Sequence, residues 1–418
     1  MKNELLHELE QRGFIYQTSN IDALSDAMNV GPITAYWGTD PTGDSLHVGH
    51  LASLMLLRWF RKSGHNPIAL VGGATGRIGD PSERDAGRPM LSDRQIENNL
   101  AGLRRSIEKI LPGGILVVDN YDWQKSYNHL EFLREYGTLF TIPHMLSMES
   151  VKRRMEHGLT FLEFNYMTIQ AVDFLELYNK HNCVLQLCGA DQWGNSIMGV
   201  ELIRKKLQKE AFVLSTPLIT DSSGEKIGKS AGNAVWINED KTSTYDYYQY
   251  FRNVADTDVE KFLKIYTEIP LAEIMKLSAL KDKEINEAKK ILAFEATKIA
   301  HGEAAAKAAE EAAAALFAGG AESQNIPTFM FDSKKSLKEY GFKPDDDVLD
   351  ENIQITVFLV MVGLVKSNSE ARRLIEQGGL MMDGNLVTDA NVTFVTATPG
   401  KTIMLQKGKK TFLKVVIK

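Results

Sequence analysis

The stretch Tyr36-Trp-Gly-Thr-Asp-Pro-Thr-Gly-Asp-Ser-Leu-His-Val-Gly-His-Leu51 decides how the rest of the chain is read. It starts in an apolar run, Ile33 to Trp37, that predicts a strand. The run is expected to break at Gly38 and to cross a turn-rich loop through Pro41 and Gly43. A helix is expected to open at Ser45, with the Ser45 hydroxyl as its N-cap. His47 and His50 then lie one turn apart, Ser53 one turn further, all on one face. A strand, a glycine-containing loop and a helix start make an anion site, because unpaired backbone N–H groups point outward there. Gly49, between the histidines, lets a flat ligand approach the backbone. Two histidines near a helix start are more often polar surface residues than catalysts, and no third ligand cluster lies nearby to make a metal site. The pattern around them has to decide.

The full string, Asp40-Pro41-Thr42 followed by Leu46-His47 and Gly49-His50, resembles the HIGH motif of class I aminoacyl-tRNA synthetases in its tyrosyl form. Four further segments fit the same resemblance. Gly72 to Pro81 follows the short buried strand Asn66–Val71 and contains Gly73, Gly76 and Gly79. Its spacing is not that of a dinucleotide loop, and no Gly-Lys-Ser/Thr follows. It is similar to the family's G-A-T-G-x-I-G-D-P segment, which implies that Asp80 holds the substrate ammonium. Within the helical stretch Glu163–Tyr178, Tyr166, Gln170 and Asp173 form a polar stripe among Met167, Ile169, Val172, Phe174 and Leu177. A buried polar stripe needs partners, and the family's tyrosine-binding helix has this spacing. The strand Cys183–Cys188, with Gln186, runs into Gly189-Ala-Asp191-Gln192-Trp-Gly-Asn195, a string distinctive of tyrosyl and tryptophanyl synthetases. Lys226-Ile-Gly-Lys229-Ser230 is similar to the KMSKS motif, on a Gly- and Ser-rich stretch that composition marks as a mobile loop.

Composition sets the outer bounds. A chain of 418 residues predicts two or three domains, and 44% hydrophobic with 24% charged residues is ordinary for a globular protein. No apolar run reaches bilayer length, so no membrane partner is expected. Met1 to Glu10 reads as a polar helix rather than a secretory leader. The only cysteines, Cys183 and Cys188, sit five positions apart in one strand, on opposite faces, and do not bridge easily. A reducing, cytoplasmic setting is expected. The overall charge is −6, but residues 352–418 carry nine Lys or Arg against four Asp or Glu, a net of +5. That leaves −11 for the rest, and a basic tail on an acidic body suggests a polyanion contact.

Strand–helix alternation through residue 232 predicts a Rossmann-like parallel sheet of the α/β class, with ligands at the carboxyl ends of its strands. The expected domains are 1–232 catalytic, 233–320 all-helical, 321–351 a polar linker, and 352–418 a small α+β module. In that module, Ser367-Asn-Ser369-Glu-Ala-Arg372-Arg373-Leu-Ile reads as a capped basic helix. It resembles the S-four-like RNA-binding module, with Arg372 and Arg373 facing RNA phosphates.

The resemblance to bacterial-type tyrosyl-tRNA synthetases implies tyrosine–tRNA ligase activity in two steps. The tyrosine carboxylate attacks the α-phosphate of ATP, and tRNA(Tyr) then takes the tyrosyl group. It implies catalysis by positioning and charge stabilisation, with Thr42, His47, His50, Lys226 and Lys229 around the triphosphate. Arg84 or Arg88 is expected to assist. Tyrosine would be held by Tyr36, Asp80, Tyr166, Gln170, Asp173 and Gln186, with Tyr36 and Asp173 on the phenol hydroxyl. The ATP subsite would use Gly38, Asp40, Gly49, Gly189, Asp191, Gln192 and Lys229. Mg2+ would arrive with ATP, no protein-held metal is expected, and the protein would work as a homodimer. Trp37, Thr39 and Arg77 depart from the family pattern at the pocket rim. Two rivals share parts of the pattern: a tryptophanyl synthetase, and a non-catalytic relative that only binds RNA. The first would normally lack the tail and the Tyr36/Asp173 pair. The second would be expected to lose histidines or lysines that this chain keeps.

Overall fold

The protein is described from a computed structural model covering residues 3–82, 90–222, 224, 227, 234–317, 328–331, 352–395, 401–408 and 411–417. The chain forms two compact units, Met1–Ala306 and Lys307–Lys418.

In the first unit, β1 (Gln17–Thr18), β2 (Thr34–Thr39), β3 (Asn66–Val71), β4 (Leu116–Asp119), β5 (Cys183–Gly189) and β6 (Phe212–Thr216) form one sheet. Its order is β1-β6-β5-β2-β3-β4, and every pairing is parallel except the β1–β6 edge. The strands read as unbroken apolar runs because both faces are covered. From the central pair the chain winds outward both ways, β2 to β3 to β4 and β5 to β6. The β2/β5 pair is therefore the switch point at which such sheets take their ligands. Helices Val48–Lys62 and Asp93–Ile110 return the chain on one side. Helices Phe161–His181 and Trp193–Leu207 return it on the other, over a core that includes Tyr36, Ile68, Leu70, Phe174 and Met198.

Local signals explain where the helices begin. Ser92 and Gln95 cap the first turn of Asp93–Ile110 reciprocally, and Thr160 and Glu163 do the same for Phe161–His181. Two sequence expectations need correcting near the motif. β2 runs on through Gly38 to Thr39, in register with Leu70 and Val71. The following helix starts at Val48, not Ser45, and its N-cap is His47. Ser45 is buried, and its hydroxyl donates to the Leu46 carbonyl at 2.9 Å.

Beyond residue 243 the first unit is helical, as expected: Thr244–Arg252, Val259–Tyr266, Leu271–Ser278 and Ile285–His301, then Glu303–Phe317 leading out of it. Tyr247, Phe251, Phe262 and Tyr266 make its aromatic core, their ring centroids 5.3–5.4 Å apart in inclined pairs. The N-terminal helix Glu4–Arg12 is tied to this region by one buried guanidinium. Arg12 donates to the carbonyls of Lys264, Thr267 and Ile269, and lies over the Trp59 ring at 4.3 Å.

The second unit has seven strands among its described residues: β7 (Thr328–Phe331), β8 (Asn352–Gln354), β9 (Leu380–Met382), β10 (Asn385–Leu386), β11 (Thr393–Val395), β12 (Thr402–Lys407) and β13 (Thr411–Ile417). Five form a sheet in the order β10-β9-β12-β13-β7, and β8 pairs with β11. β7 lies inside the segment read from sequence as a linker. It pairs parallel with β13 and buries Phe331 against Phe358. Four residues between polar stretches are too short a pattern to register as a strand. Helices Ile355–Met361 and Asn368–Glu376 cover the sheet, and Ser367 caps the second.

Candidate functional site

A cavity of about 390 Å³ opens at the carboxyl ends of β2 and β5. It gathers segments far apart in sequence: Tyr36 to Thr42, His47 to Ser53, Thr75 to Ser82, Tyr166 to Asp173, and Gln186 to Gln192. Of the residues singled out from sequence, Tyr36, Gly38, Asp40, Thr42, His47, Gly49, His50, Asp80, Tyr166, Gln170, Asp173, Gln186, Gly189, Asp191 and Gln192 all line it. Lys226, Lys229, Arg84 and Arg88 lie outside the described residues. Ile227, between the two lysines, lines the cavity, and its N–H donates to the Ile219 carbonyl at 3.0 Å.

The inner wall of the cavity is polar and buried. Tyr36 on β2 and Gln186 on β5 are register partners across the switch point. Each is at most 3% exposed, and the Tyr36 hydroxyl and the Gln186 amide oxygen have no hydrogen-bond partner among the described residues. Burial, then the nearby Asp173, holds the Tyr36 phenol well above its ordinary range. Asp173 accepts from Trp123 Nε1 at 2.8 Å, Gln124 Nε2 at 2.7 Å and Asn120 Nδ2 at 2.8 Å. Burial nonetheless lifts its carboxyl to about 7, against the pull of those three donors. Orphaned buried polar atoms beside a desolvated carboxyl call for a polar ligand.

From Asp173 a chain of bonds runs to the other wall. Asn120 Nδ2 also donates to Thr75 Oγ1 at 3.0 Å, Thr75 donates to Asp40 Oδ1 at 2.6 Å, and the Tyr166 hydroxyl donates to Asp40 Oδ2 at 2.9 Å. Asp80 accepts from Gln192 Nε2 at 2.6 Å and from the Ser82 N–H at 2.9 Å. Gln192 is fixed in turn by Asn195, whose Nδ2 donates to it at 3.2 Å. Sequence reading missed Thr75, Asn120, Trp123 and Gln124. The available signal was position: Asn120 directly follows β4, and Thr75 lies in the loop after β3, both at the end of the sheet where ligands bind.

The two histidines are organised by the backbone. His47 Nδ1 accepts from the Gly49 N–H at 3.0 Å, and His50 Nδ1 accepts from the His47 N–H at 3.3 Å. This is a capping box built from imidazoles, their rings 4.0 Å apart. With both Nδ1 atoms accepting, the neutral rings carry their protons on Nε2, a tautomer assigned from these bonds. Each histidine thus offers one N–H donor at a helix start. Gly49 is required here: a Cβ would stand 2.7 Å from the His47 ring and 2.8 Å from the Ile227 carbonyl. Trp37 and Thr39 line the cavity. Arg77 does not; it lies over the Tyr121 ring at 4.2 Å and pairs with Asp93 at 2.9 Å.

In the second unit Arg372 and Arg373 are exposed on the Asn368–Glu376 helix, opposite the buried Ala371 and Ile375. Glu370 turns back to Lys407 at 2.7 Å.

Known proteins resemble this chain over nearly its whole length. A family model described as tRNA synthetases class I (W and Y) matches residues 28–318. A second, described as a tyrosine–tRNA ligase SYY-like C-terminal domain, matches residues 342–415. A tyrosine–tRNA ligase of Xanthobacter autotrophicus is 46% identical over 98% of this chain and 97% of its own. One of Clostridium tetani is 44% identical over the whole of both chains. Among solved structures, a C-terminally truncated mitochondrial tyrosyl-tRNA synthetase of Aspergillus nidulans matches with a TM-score of 0.68 at 31% identity. That match covers 75% of this chain and 94% of the other. With both units matched and full-length relatives at this identity, the chain belongs to the tyrosyl-tRNA synthetase family of class I.

Proposed function

We propose that this protein is a tyrosine–tRNA ligase whose amino-acid subsite is the inner wall of the β2/β5 cavity. The observation that carries the reading is the buried, unpaired Tyr36 hydroxyl beside the Asp173 carboxyl and the unpaired Gln186 amide oxygen. A phenol hydroxyl accepts from the Tyr36 hydroxyl and donates to the Asp173 carboxylate, and a phenylalanine ring leaves the Tyr36 hydroxyl unpaired at a cost. Tyr166, Gln170 and Asp80 receive the ammonium, with Gln192 and Asp191 toward the carboxylate and ribose.

The nucleotide lies toward the helix start, with Gly38, Asp40, Gly49 and Gly189 allowing its approach. A tyrosine carboxylate oxygen attacks the α-phosphorus, the bond to the bridging oxygen of the β-phosphate breaks, and pyrophosphate leaves. No side chain becomes covalently attached. Thr42 and the Nε2–H donors of His47 and His50 stabilise the charge that grows on the phosphates. Lys226 and Lys229 act on the same charge. The terminal ribose hydroxyl of tRNA(Tyr) then attacks the tyrosyl carbonyl, and AMP leaves. Mg2+ comes with ATP, held by its phosphates. Among the described residues no group of three His, Cys, Asp or Glu is arranged to hold a metal.

The domain roles follow: residues 1–232 activate, 233–320 form the helical anticodon-side part, and 352–418 bind RNA through Arg372 and Arg373. We further read the protein as a cytoplasmic homodimer. Exposed apolar side chains concentrate between Leu130 and Leu162, with Leu130 69% and Phe161 74% exposed, as an interface would require. No helix among the described residues is long and apolar enough to cross a membrane. The deciding experiment is ATP–pyrophosphate exchange with tyrosine, tryptophan or phenylalanine as the amino acid. Exchange driven by tyrosine alone, with charging of tRNA(Tyr), is expected; exchange driven by tryptophan would overturn the reading.

A further inference from the structure

The loop that delivers His47 is held from outside the cavity. Asp44 to Val48 lies between residues Val235–Asn238 and the Asp93–Ile110 helix. The Val48 N–H donates to the Val235 carbonyl at 2.9 Å, and the Ile237 N–H donates to the Leu46 carbonyl at 2.8 Å. His47 and Trp236 form the antiparallel bridge between these bonds, and the Trp236 ring meets the His47 ring edge-on at 5.8 Å.

Asn238 closes this clamp. It is 3% exposed and does not line the cavity. Its N–H donates to Ser45 Oγ at 3.1 Å. Its Nδ2 donates to the Asp44 carbonyl at 3.3 Å and the Gly102 carbonyl at 3.1 Å. Its Oδ1 accepts from Ser106 Oγ at 3.0 Å, and Ser106 Oγ accepts the Leu46 N–H at 3.1 Å. One amide thus joins the motif loop to a helix that comes too close at Gly102 for any side chain, since a Cβ there would overlap the Asp44 carbonyl. A buried network with every member bonded fixes one geometry.

We propose that Asn238 is a positioning residue for tyrosine activation, setting how the chain enters the Val48–Lys62 helix and so where the His47 and His50 donors point. The proposal rests on the tyrosine-activating reading of the cavity. Purely structural filling would cost stability and active fraction. Positioning costs the rate constant at each intact site while tyrosine affinity stays, because the inner wall is built from other elements.

The test uses the full-length chain as wild type, Asn238→Ala, Asn238→Ser, Ser106→Ala and the Asn238→Ala/Ser106→Ala double variant. Tyrosine affinity is measured at equilibrium, and tyrosyl-adenylate formation in single turnover, normalised to titrated active sites. We expect tyrosine affinity within about twofold of wild type and an adenylate rate constant lower by about 10- to 100-fold in Asn238→Ala. The double variant should lose less than the product of the single losses, because both remove one network. Wild-type rate per site in Asn238→Ala, or a tyrosine affinity that falls in step with rate, would overturn the proposal. Should Asn238→Ala not fold, Asn238→Ser and Lys241→Ala decide it. Lys241→Ala removes the surface pair of Lys241 with Asp44 at 2.6 Å and the ammonium that lies 5.7 Å over the Trp236 ring. Wild-type rate constants in both count against positioning. If wild type itself shows no tyrosine-dependent exchange, the proposed function fails instead, so the two failures are distinguishable.

Discussion

At the scale of single residues, Asp173 carries a pH signature. Its carboxyl is raised by burial from 3.8 to about 7, with Asp40 adding to the rise. Between those values the folded chain holds a proton that the unfolded chain has released, so this group's contribution makes stability fall as pH rises from about 4 to about 7. Asp173→Asn should remove that slope, which thermal unfolding across the window would reveal. Substrate works in the opposite sense. A phenol hydroxyl donates to the ionised carboxylate, so tyrosine affinity should climb toward pH 7 and level above it, with proton release on binding. Calorimetry in buffers of different ionisation enthalpy measures that release; none would mean that Asp173 does not meet the hydroxyl. His47 divides structure from chemistry. His47→Ala loses the N-cap, worth about 0.5–2 kcal/mol of stability. His47→Asn keeps a capping side chain. Both should slow adenylate formation similarly, by about tenfold or more, whereas recovery of rate in His47→Asn would make the cap the whole role.

At the scale of elements, the Val48–Lys62 helix start is set by what packs against it. Gly49 and Gly102 both sit where a methyl group would meet neighbouring backbone, at the Ile227 and Asp44 carbonyls. Gly102→Ala leaves every proposed catalytic and binding residue in place but should push the Asp44–Val48 loop outward. Its expected effect is a loss of about 1–3 kcal/mol in stability, with a lower adenylate rate at retained tyrosine affinity. Denaturant unfolding and single-turnover kinetics check the two parts, and an unchanged rate would show that loop placement tolerates displacement.

At the scale of the whole molecule, the buried role of Phe331 decides where the chain can be cut. Ending it after Asp350 leaves β7 without its partner β13. Ending it before Thr328 avoids that stranded edge. The shorter fragment should fold and form tyrosyl-adenylate at close to the full rate while charging of tRNA falls sharply, more so at high salt. Charging at the intact rate would show that the second unit is not an RNA-binding module. Arg372→Ala with Arg373→Ala should lower the salt slope of tRNA binding by about two, one for each phosphate no longer neutralised. The apolar stretch has its own test. Phe161→Asp should shift sedimentation toward the monomer if this surface joins two copies, and leave it unchanged otherwise.

The sequence by itself determined the alternation of strands and helices and the short strings that carry the family resemblance. These are local properties: apolar period and residue types at fixed spacing act within a few positions of one another. It also placed the ligand end of the sheet, because strand–helix alternation leaves little choice of handedness. Tertiary structure alone decided the rest. Asn120, Trp123 and Gln124 become partners of Asp173 only when the end of β4 and the Phe161–His181 helix meet. Arg12 finds the carbonyls of Lys264, Thr267 and Ile269 across more than 250 positions. Ser45 reads locally as an N-cap, yet Ser106 and Asn238 draw it into a buried network, and the cap falls to His47. The reason is the same in each case: a buried polar group must find a partner wherever the fold brings one, and that partner's distance along the chain leaves no mark on local pattern.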